Sequence, residues 1–474
     1  MVTGIVSAVK ERHSSLYSGA ECRRVVPDVE RDFLRLSSEP LFKQWRKQIE
    51  GVAGCEKPVY LAGRVTRFDG AGMLVRHYDT VEEPNGRIAV RCRNRRKSQC
   101  APCSRMHSGD SFQIVRSGVV GGKGIPASVV DHPQVFLTLT APSFGAVHSS
   151  SCRTRSFGGT CRHGRMLSCT MSHGHDDPLI GSALCGECYD YSAHVLWHAH
   201  VGELWNRTMR NVRRGLAEIA GIARERLNEY VRLTFVKVAE YQRRGAVHFH
   251  AVMRLDGASG AAALPPAWAT VEILEAAIRD AVRVTSLRIV DSPSVGNMMI
   301  AWGRQIDIRD LADGRTDVSD PGMRPEVVAS YLAKYVSKSV GDAGGIDSPI
   351  RSYEEIRCAD ASLHVRALMG TCWRLGGLVE FAHLRLRAWV HTLGYRGHVL
   401  TKSPGYSTTY GKLRGVRAEY VRALRKDAGG GGNGVVVSSW RYVGRGYSPA
   451  EDEIARGVRE DLEEIRLLRK WGLE

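Results

Sequence analysis

The chain has 474 residues, with 67 Lys and Arg against 50 Asp and Glu, a formal net charge of +17 and 43% apolar residues. That mixture excludes a disordered tail protein and a coiled coil, and at ~150 residues per domain it allows two to four folding units, each able to bury a core. No stretch reaches the ~18 uncharged apolar residues a membrane span needs, so a soluble cytoplasmic protein with no membrane partner is expected.

Only 13 of the 67 cations are lysine, which leaves 54 arginines. Arginine's planar fork suits phosphate, although a GC-rich genome enriches arginine as well. The net charge itself favours a polyanionic partner.

Residues 1–85 read as an N-terminal scaffold: mixed helix and loop to residue 57, then "PVYLAGRVTRFDGAGMLVRHYDT", which alternates around Asp69-Gly70 as a β-hairpin does. A first cysteine cluster occupies 86–130, with Cys92, Cys100 and Cys103 in "CRNRRKSQCAPC". "QVFLTLTAP", residues 134–142, has the composition of a strand stopped by Pro142. A second cluster, at 150–190, carries Cys152, Cys161, Cys169 and the "CGEC" pair Cys185 and Cys188. Without a secretion signal these thiols should stay reduced, so their spacing is tested against metal geometry. Each Cys-x-x-Cys knuckle sets two thiolates around one tetrahedral ion, and the polar, arginine-rich setting of Cys100 and Cys103 argues against a thioredoxin-type redox pair. The eight thiols are therefore candidate ligands for structural Zn²⁺, enough for two Cys₄ sites. His163, His173 and His175 are able to replace a thiolate, which leaves the pairing open. Cys22, Cys55, Cys358 and Cys372 are isolated and read as small buried hydrophobes.

From Tyr189 to about Ala223 apolar residues recur at helical spacing. Its "HVLWHAH" lacks the Glu of a H-E-x-x-H motif, so His194 and His198 read as packing residues. "YVRLTFVKVAEY" and "GAVHFHAVMRL" form a hairpin, and after a loop-rich stretch with a turn at 319–326 a helix should run from Pro325 to Gly341. Residues 346–428 read as a basic DNA-binding region: Arg374 to Arg425 hold ten Lys and Arg against two Glu, with Lys402, Lys412, Arg414 and Arg417 as candidate DNA contacts. In its "YSTTYGKLR", aromatic and basic residues interleave in a way that suits stacking and backbone contacts. Residues 429–474 complete the chain as a "GGGGNG" linker and a helix over about 449–471. No G-x-x-x-x-G-K-[ST] segment is present to cradle ATP.

In "VHFHAV" the two histidines are one residue apart, so on a strand His248 and His250 share a face and Phe249 takes the other. If Arg243, Arg244 and Gly245 form a three-residue loop with Gly245 in the left-handed region, Glu240 pairs opposite His248. A His₂Glu set with open positions is a divalent-metal site of the catalytic kind, and its oxygen ligand suits Mg²⁺ or Mn²⁺ when a phosphate completes the shell. In "SYLAKYVSKS", Tyr331 and Tyr335 share a helix face beside a stripe of Lys334 and Lys338. A phenol of ordinary pKa ~10 attacks a phosphodiester only with help from a metal and a nearby cation, and these residues offer both.

Three motifs in order, "FLTLT" (136–140), "EYQRRGAVHFHAV" (240–252) and "YLAKY" (331–335), resemble the HUH endonucleases. More narrowly, the chain is similar to rolling-circle replication initiators of actinomycete plasmids and integrative elements over about residues 91–425. The resemblance implies an α+β fold: an HUH endonuclease core at 131–345, a five-stranded antiparallel sheet flanked by helices with FLTLT and the His-strand as central neighbours, carrying zinc-binding insertions. It further implies that Glu240, His248 and His250 hold the metal and that Tyr331 cuts single-stranded DNA at an origin, leaving a 5′-phosphotyrosine and a free 3′-OH. Tyr335 is then a second nucleophile or a neighbour, and Lys334 orients phosphate. Origin DNA, duplex and single-stranded, a host helicase and a polymerase are the implied partners. An HUH transposase or relaxase would share the metal site, whereas a non-catalytic zinc-dependent regulator would bind duplex DNA without a covalent adduct.

Overall fold

The computed structural model describes residues 29–150, 159–174, 176–311, 324–338, 341, 345–424 and 434–472. In chain order the principal elements are α1 (Val29–Ser38), α2 (Phe42–Gly51), β1 (Val59–Phe68), β2 (Leu74–Asp79), β3 (Ile88–Val90), α3 (Ala101–Val120), β4 (Gln134–Leu139), α4 (Tyr191–Ile219), β5 (Val231–Tyr241), β6 (Val247–Gly257), α5 (Val271–Val284), β7 (Ser286–Ser292), β8 (Gly296–Ala301), β9 (Ile306–Asp310), α6 (Pro325–Ser337), α7 (Leu363–Leu375), β10 (Leu400–Lys402), α8 (Tyr410–Leu424), β11 (Val436–Arg445) and α9 (Pro449–Lys470). The chain divides into two compact units, Met1–Cys92 with Gly432–Glu474, and Arg93–Gly431. Among the described residues no helix is long and apolar enough to cross a membrane.

In the first unit β1 and β2 form the expected hairpin, closed where Asp69 Oδ1 accepts the N–H groups of Ala71 and Met73, each at 2.9 Å. Strand β11 pairs antiparallel along the other edge of β1. The sequence pattern assigns no element to 436–445, because almost every position of β11 is exposed and no apolar alternation marks a buried face. Trp45 and Ile49 of α2 pack on Ala455 and Val458 of α9, which opens with a capping box between Ser448 and Glu451. Of the "GGGGNG" stretch, all but Gly434 lies outside the described residues.

The second unit is built on a five-stranded antiparallel sheet in the order β10-β5-β6-β4-β9. Both faces are covered, and β5 and β6 are buried almost continuously. Leu137, Phe249, Ala251 and Met253 face a large core that includes Val195, Leu204 and Val212 of α4. On the opposite face Val236, Val238 and Val252 meet Val115 and Val119 of α3 and Val328, Leu332 and Val336 of α6. Helix α4 matches the expected long helix, and the Asp190 carboxylate accepts the Ala193 N–H at 2.8 Å to start it. The β7–β8 hairpin and β9 lie in the stretch expected to be loop-rich; β9 is a short, charged edge strand, which gives little signal in sequence. The expected turn at 319–326 is described only from Arg324 on.

Residues following Arg374 are woven into this unit. Leu384, Leu386, Val390, Leu393 and Tyr395 belong to its main core, and β10 forms a sheet edge. At the far end of β6 the fully buried Arg254 donates to Asp256 through Nε and Nη2, at 2.6 and 2.9 Å, and to the backbone carbonyls of Gly118 and Tyr406. Asp256 also binds His132 at 2.8 Å and the Thr234 hydroxyl at 3.0 Å. The Arg254–Asp256 pair thereby ties β6 to α3, β5 and the segment after β10. Asp256→Ala strands a buried guanidinium and should cost about 3–5 kcal/mol, read as a fall in the urea midpoint; Arg254→Met with Asp256→Leu should recover most of it.

Candidate functional site

The β5–β6 hairpin turns through Arg243, Arg244 and Gly245, with Gly245 at φ +78° and the Gln242 N–H donating to the Ala246 carbonyl at 2.8 Å. This three-residue loop fixes the register, and Glu240 faces His248 across the ladder. Glu240 Oε2 lies 2.8 Å from His248 Nε2 and 3.1 Å from His250 Nε2, and the two imidazole nitrogens are 3.1 Å apart. Octahedral ligands at ~2.0–2.1 Å from one ion sit ~3 Å from one another, so the three donor atoms fit the edges of one coordination shell. Burial alone would raise the Glu240 carboxyl, but hydrogen bonds and charge from the two histidines outweigh it and hold it at about 2. Burial lowers the affinity of His250 for a proton.

Thr138 on β4 pairs with His250, and its hydroxyl lies 3.0 Å from His250 Nδ1. With Nδ1–H donated to that oxygen, the Nε2 lone pair is free to face a cation. Phe136 stacks on the same imidazole, rings 5.8 Å apart. Behind the histidines Phe249 is clamped by Trp205 and Trp302, and the buried Lys237 ammonium, lowered by burial to about 7, lies 3.7 Å from its ring centre. His194 and His198 are buried packing residues, as expected. His198 also anchors the start of β6, where its Nε2 accepts the Val247 N–H at 3.0 Å while its Nδ1 meets the Leu393 carbonyl at 2.8 Å. Burial holds His198 neutral, at about 4.

Helix α6 starts at Pro325, as expected, but ends at Ser337, short of Gly341. Arg95 takes the carbonyls of Val336 and Lys338, at 3.1 and 2.7 Å, and the extended backbone of Lys338 leads its ammonium to Glu240 Oε1 at 3.4 Å. The Tyr331 hydroxyl sits 3.3 Å from His250 Nε2, and Tyr335 stacks on the same ring. Tyr331 is 37% exposed, enough for a strand to reach it; burial first, and then its contact with Tyr335, push its phenol well above its usual range. The cation at the carboxylate is therefore Lys338, while Lys334 points to the exposed side of α6. Sequence patterns do not single out Thr138 or Arg95, nor show that His198 anchors β6, because the β4–β6 register and the helix contacts are tertiary.

Among the other sequence-predicted residues, Cys161, His163, Cys185 and Cys188 converge, with His163 Nδ1 3.3 Å from Cys188 Sγ and 3.6 Å from Cys185 Sγ. This Cys₃His set could hold a structural metal ion such as zinc. Cys169 stands apart from it, beside His148 and His173, so the thiols of this insertion do not assemble as a Cys₄ site among the described residues. Cys152 and His175 lie outside the described residues, as does Cys22. Cys92 donates its backbone N–H to Cys55 Sγ at 3.3 Å, and the buried Cys100 and Cys103 lie at the start of α3. Cys372 is buried as expected, but Cys55, read from the sequence as an isolated buried hydrophobe, presents its thiol beside Cys92 as a candidate metal ligand, and Cys358 is exposed at the end of a one-turn helix.

The candidate DNA contacts are divided. Arg417 forms a two-pronged pair with Asp110 at 2.5 and 2.8 Å, and Arg414 approaches the same carboxylate at 3.9 Å. Lys402 donates to the carbonyls of Ser403 and Pro404, while Lys412 is exposed. The expected stacking surface of "YSTTYGKLR" is not available at Tyr406, which is fully buried against Gly118, and Tyr410 is engaged by Ser111 and His107.

A family model described as "Replication initiator protein, pSAM2" (RepSA) matches residues 41–460. The chain is also similar to a replication initiator protein of Streptomyces ambofaciens, 39% identical over 445 residues that cover 91% of this chain and 93% of that protein. No solved structure matches. For the hairpin itself, Gly245→Ala forces a side chain into a left-handed position and within 3.1 Å of Leu368 and Leu393. It should destabilise the fold by about 1–2 kcal/mol in denaturant titrations, with Gly245→Asn milder.

Proposed function

The chain belongs to the RepSA family of replication initiator proteins, and we propose that it initiates rolling-circle replication by nicking one strand of an origin with Tyr331. The convergence of Glu240, His248 and His250 beneath the Tyr331 hydroxyl is the observation that carries this reading. In this reading residues 131–345 are an HUH endonuclease core; the sheet order, with FLTLT and the His-strand as neighbours, supports it.

Glu240, His248 and His250 would hold a divalent cation, Mg²⁺ or Mn²⁺. Such an ion polarises a phosphodiester and stabilises charge building on its oxygens. Thr138 keeps the His250 lone pair aimed inward, and Phe249, packed between Trp205 and Trp302, holds the histidines on the opposite face. The Tyr331 oxygen bonds to phosphorus as its proton departs, the P–O3′ bond breaks, and O3′ takes up a proton. A 5′-phosphotyrosyl ester and a free 3′-OH result. The ester keeps the bond energy for rejoining, and the 3′-OH is available to a host polymerase, with unwinding left to a host helicase. Tyr335, stacked on His250 and in contact with Tyr331, serves as second nucleophile or as the wall that orients Tyr331. Lys338 balances Glu240, and the exposed Lys334 and Lys412 would approach the DNA backbone.

The test is a denaturing gel of full-length protein with Mn²⁺ and labelled single-stranded DNA tiled across the element's origin. Wild type and Tyr335→Phe should give a covalent band, whereas Tyr331→Phe and Glu240→Gln should give none. A band that persists in Tyr331→Phe moves the nucleophile elsewhere, and no band across the tiling with duplex binding intact makes the protein a non-catalytic origin binder. Thr138→Val removes the hydroxyl behind His250 and should raise the Mn²⁺ concentration needed for half-maximal adduct by about 10- to 100-fold.

A further inference from the structure

The geometry points to a second zinc centre in the insertion between β4 and α4, built from His148, Cys169 and His173 and separate from the Cys₃His set. His148 Nδ1 and His173 Nε2 are 3.0 Å apart, and Cys169 Sγ lies 3.4 and 3.2 Å from them. A tetrahedral zinc with nitrogen ligands at ~2.0–2.1 Å and sulfur at ~2.3 Å spaces its donors by a little over 3 Å, so the three atoms stand close to three corners of one such shell.

A second observation supports the assignment. The other nitrogen of His173, Nδ1, lies 2.7 Å from Asp177 Oδ2, and the second oxygen of Asp177 accepts the Leu179 N–H at 2.8 Å. A carboxylate fixed behind a histidine in this way sets the tautomer with Nε2 free to bind a metal. His173 is buried although its neighbours in sequence are exposed, and Met166, Leu167, Met171 and Leu179 of the insertion all face solvent. A segment that buries so little apolar surface needs another source of order, and bound metal supplies it. Two imidazoles and one thiolate favour zinc over Mg²⁺ or Mn²⁺, so this centre does not compete for the ion proposed at Glu240.

The centre is connected to the hairpin. His148 exchanges backbone hydrogen bonds with the loop that follows Asp177: its carbonyl accepts the Gly181 N–H and its own N–H donates to Ser182, both at 2.9 Å. Gly181, at φ +87°, lies so close to the backbone of Arg243 and Arg244 that a Cβ there would collide with both. Holding His148 and His173 on one ion therefore seats this loop against the turn that pairs Glu240 with His248. The role is positioning, and the metal assignment does not depend on the nicking reaction.

Zinc content of the purified full-length protein, measured by mass spectrometry, tests the assignment. Cys169→Ser should lose one equivalent per chain relative to wild type, Cys188→Ser a different one, and the double variant both. Because loss of a ligand can unfold the insertion, His148→Cys carries the test independently: after cobalt substitution it should keep every ion and gain one thiolate's worth of charge-transfer absorbance. Amide exchange at Gly245 should quicken in Cys169→Ser. Unchanged zinc in Cys169→Ser, or a His148→Cys cobalt spectrum identical to wild type, would overturn the assignment.

Discussion

The pairing of Glu240 with His248 depends on one backbone conformation, the left-handed Gly245 that closes a three-residue turn. Because strand side chains alternate, a slip of one residue in this hairpin would send both histidines to the face occupied by Phe249 and bring that ring out to the tyrosine helix. Several features hold the register against such a slip. Phe249 is locked between Trp205 and Trp302, His198 accepts the N–H of Val247, and Arg244 donates to the carbonyls of Ala141 and Pro142. Both faces of β5 and β6 are buried, so the hairpin has little room to relax, and the site is a polar notch in a tightly buried frame.

Much of that notch is legible in the sequence, because it follows from periods and turn chemistry. His-x-His on a strand puts two imidazoles on one face, a glycine in the right place of a short loop fixes the partner of His248, and Tyr-x-x-x-Tyr on a helix puts two phenols together. Long-range partners are not legible in this way. Lys334 and Lys338 are equivalent in a helical pattern, and only the early end of α6, drawn off by Arg95, decides that Lys338 reaches Glu240. Thr138 looks like any polar strand residue until β4 is placed beside β6.

The basic final third shows the opposite failure, in which composition suggests a surface and packing uses the residues otherwise. Tyr406 lies inside the unit against Gly118, and Arg414 and Arg417 converge on Asp110 of α3. An arginine with a two-pronged carboxylate partner must give up that pair before it can grip a phosphate, so net charge overstates what is free to bind DNA. Exposure of the individual cation, as at Lys412, is the better guide.

Donor chemistry divides between the two parts of this unit. The sheet offers a carboxylate and two imidazoles, a set that accommodates a hard, exchangeable cation and leaves positions open for phosphate oxygens. The insertion offers thiolates and imidazoles, a set that would hold zinc tightly and without exchange on the timescale of a reaction cycle. With the soft donors on a segment with little core of its own and the hard set on a rigid sheet, the proposed zinc would order the chain while the proposed divalent cation would be kept free for substrate. The approach of Gly181 to Arg243 and Arg244 is where the two meet, since order imposed on the insertion bears directly on the turn that aligns Glu240.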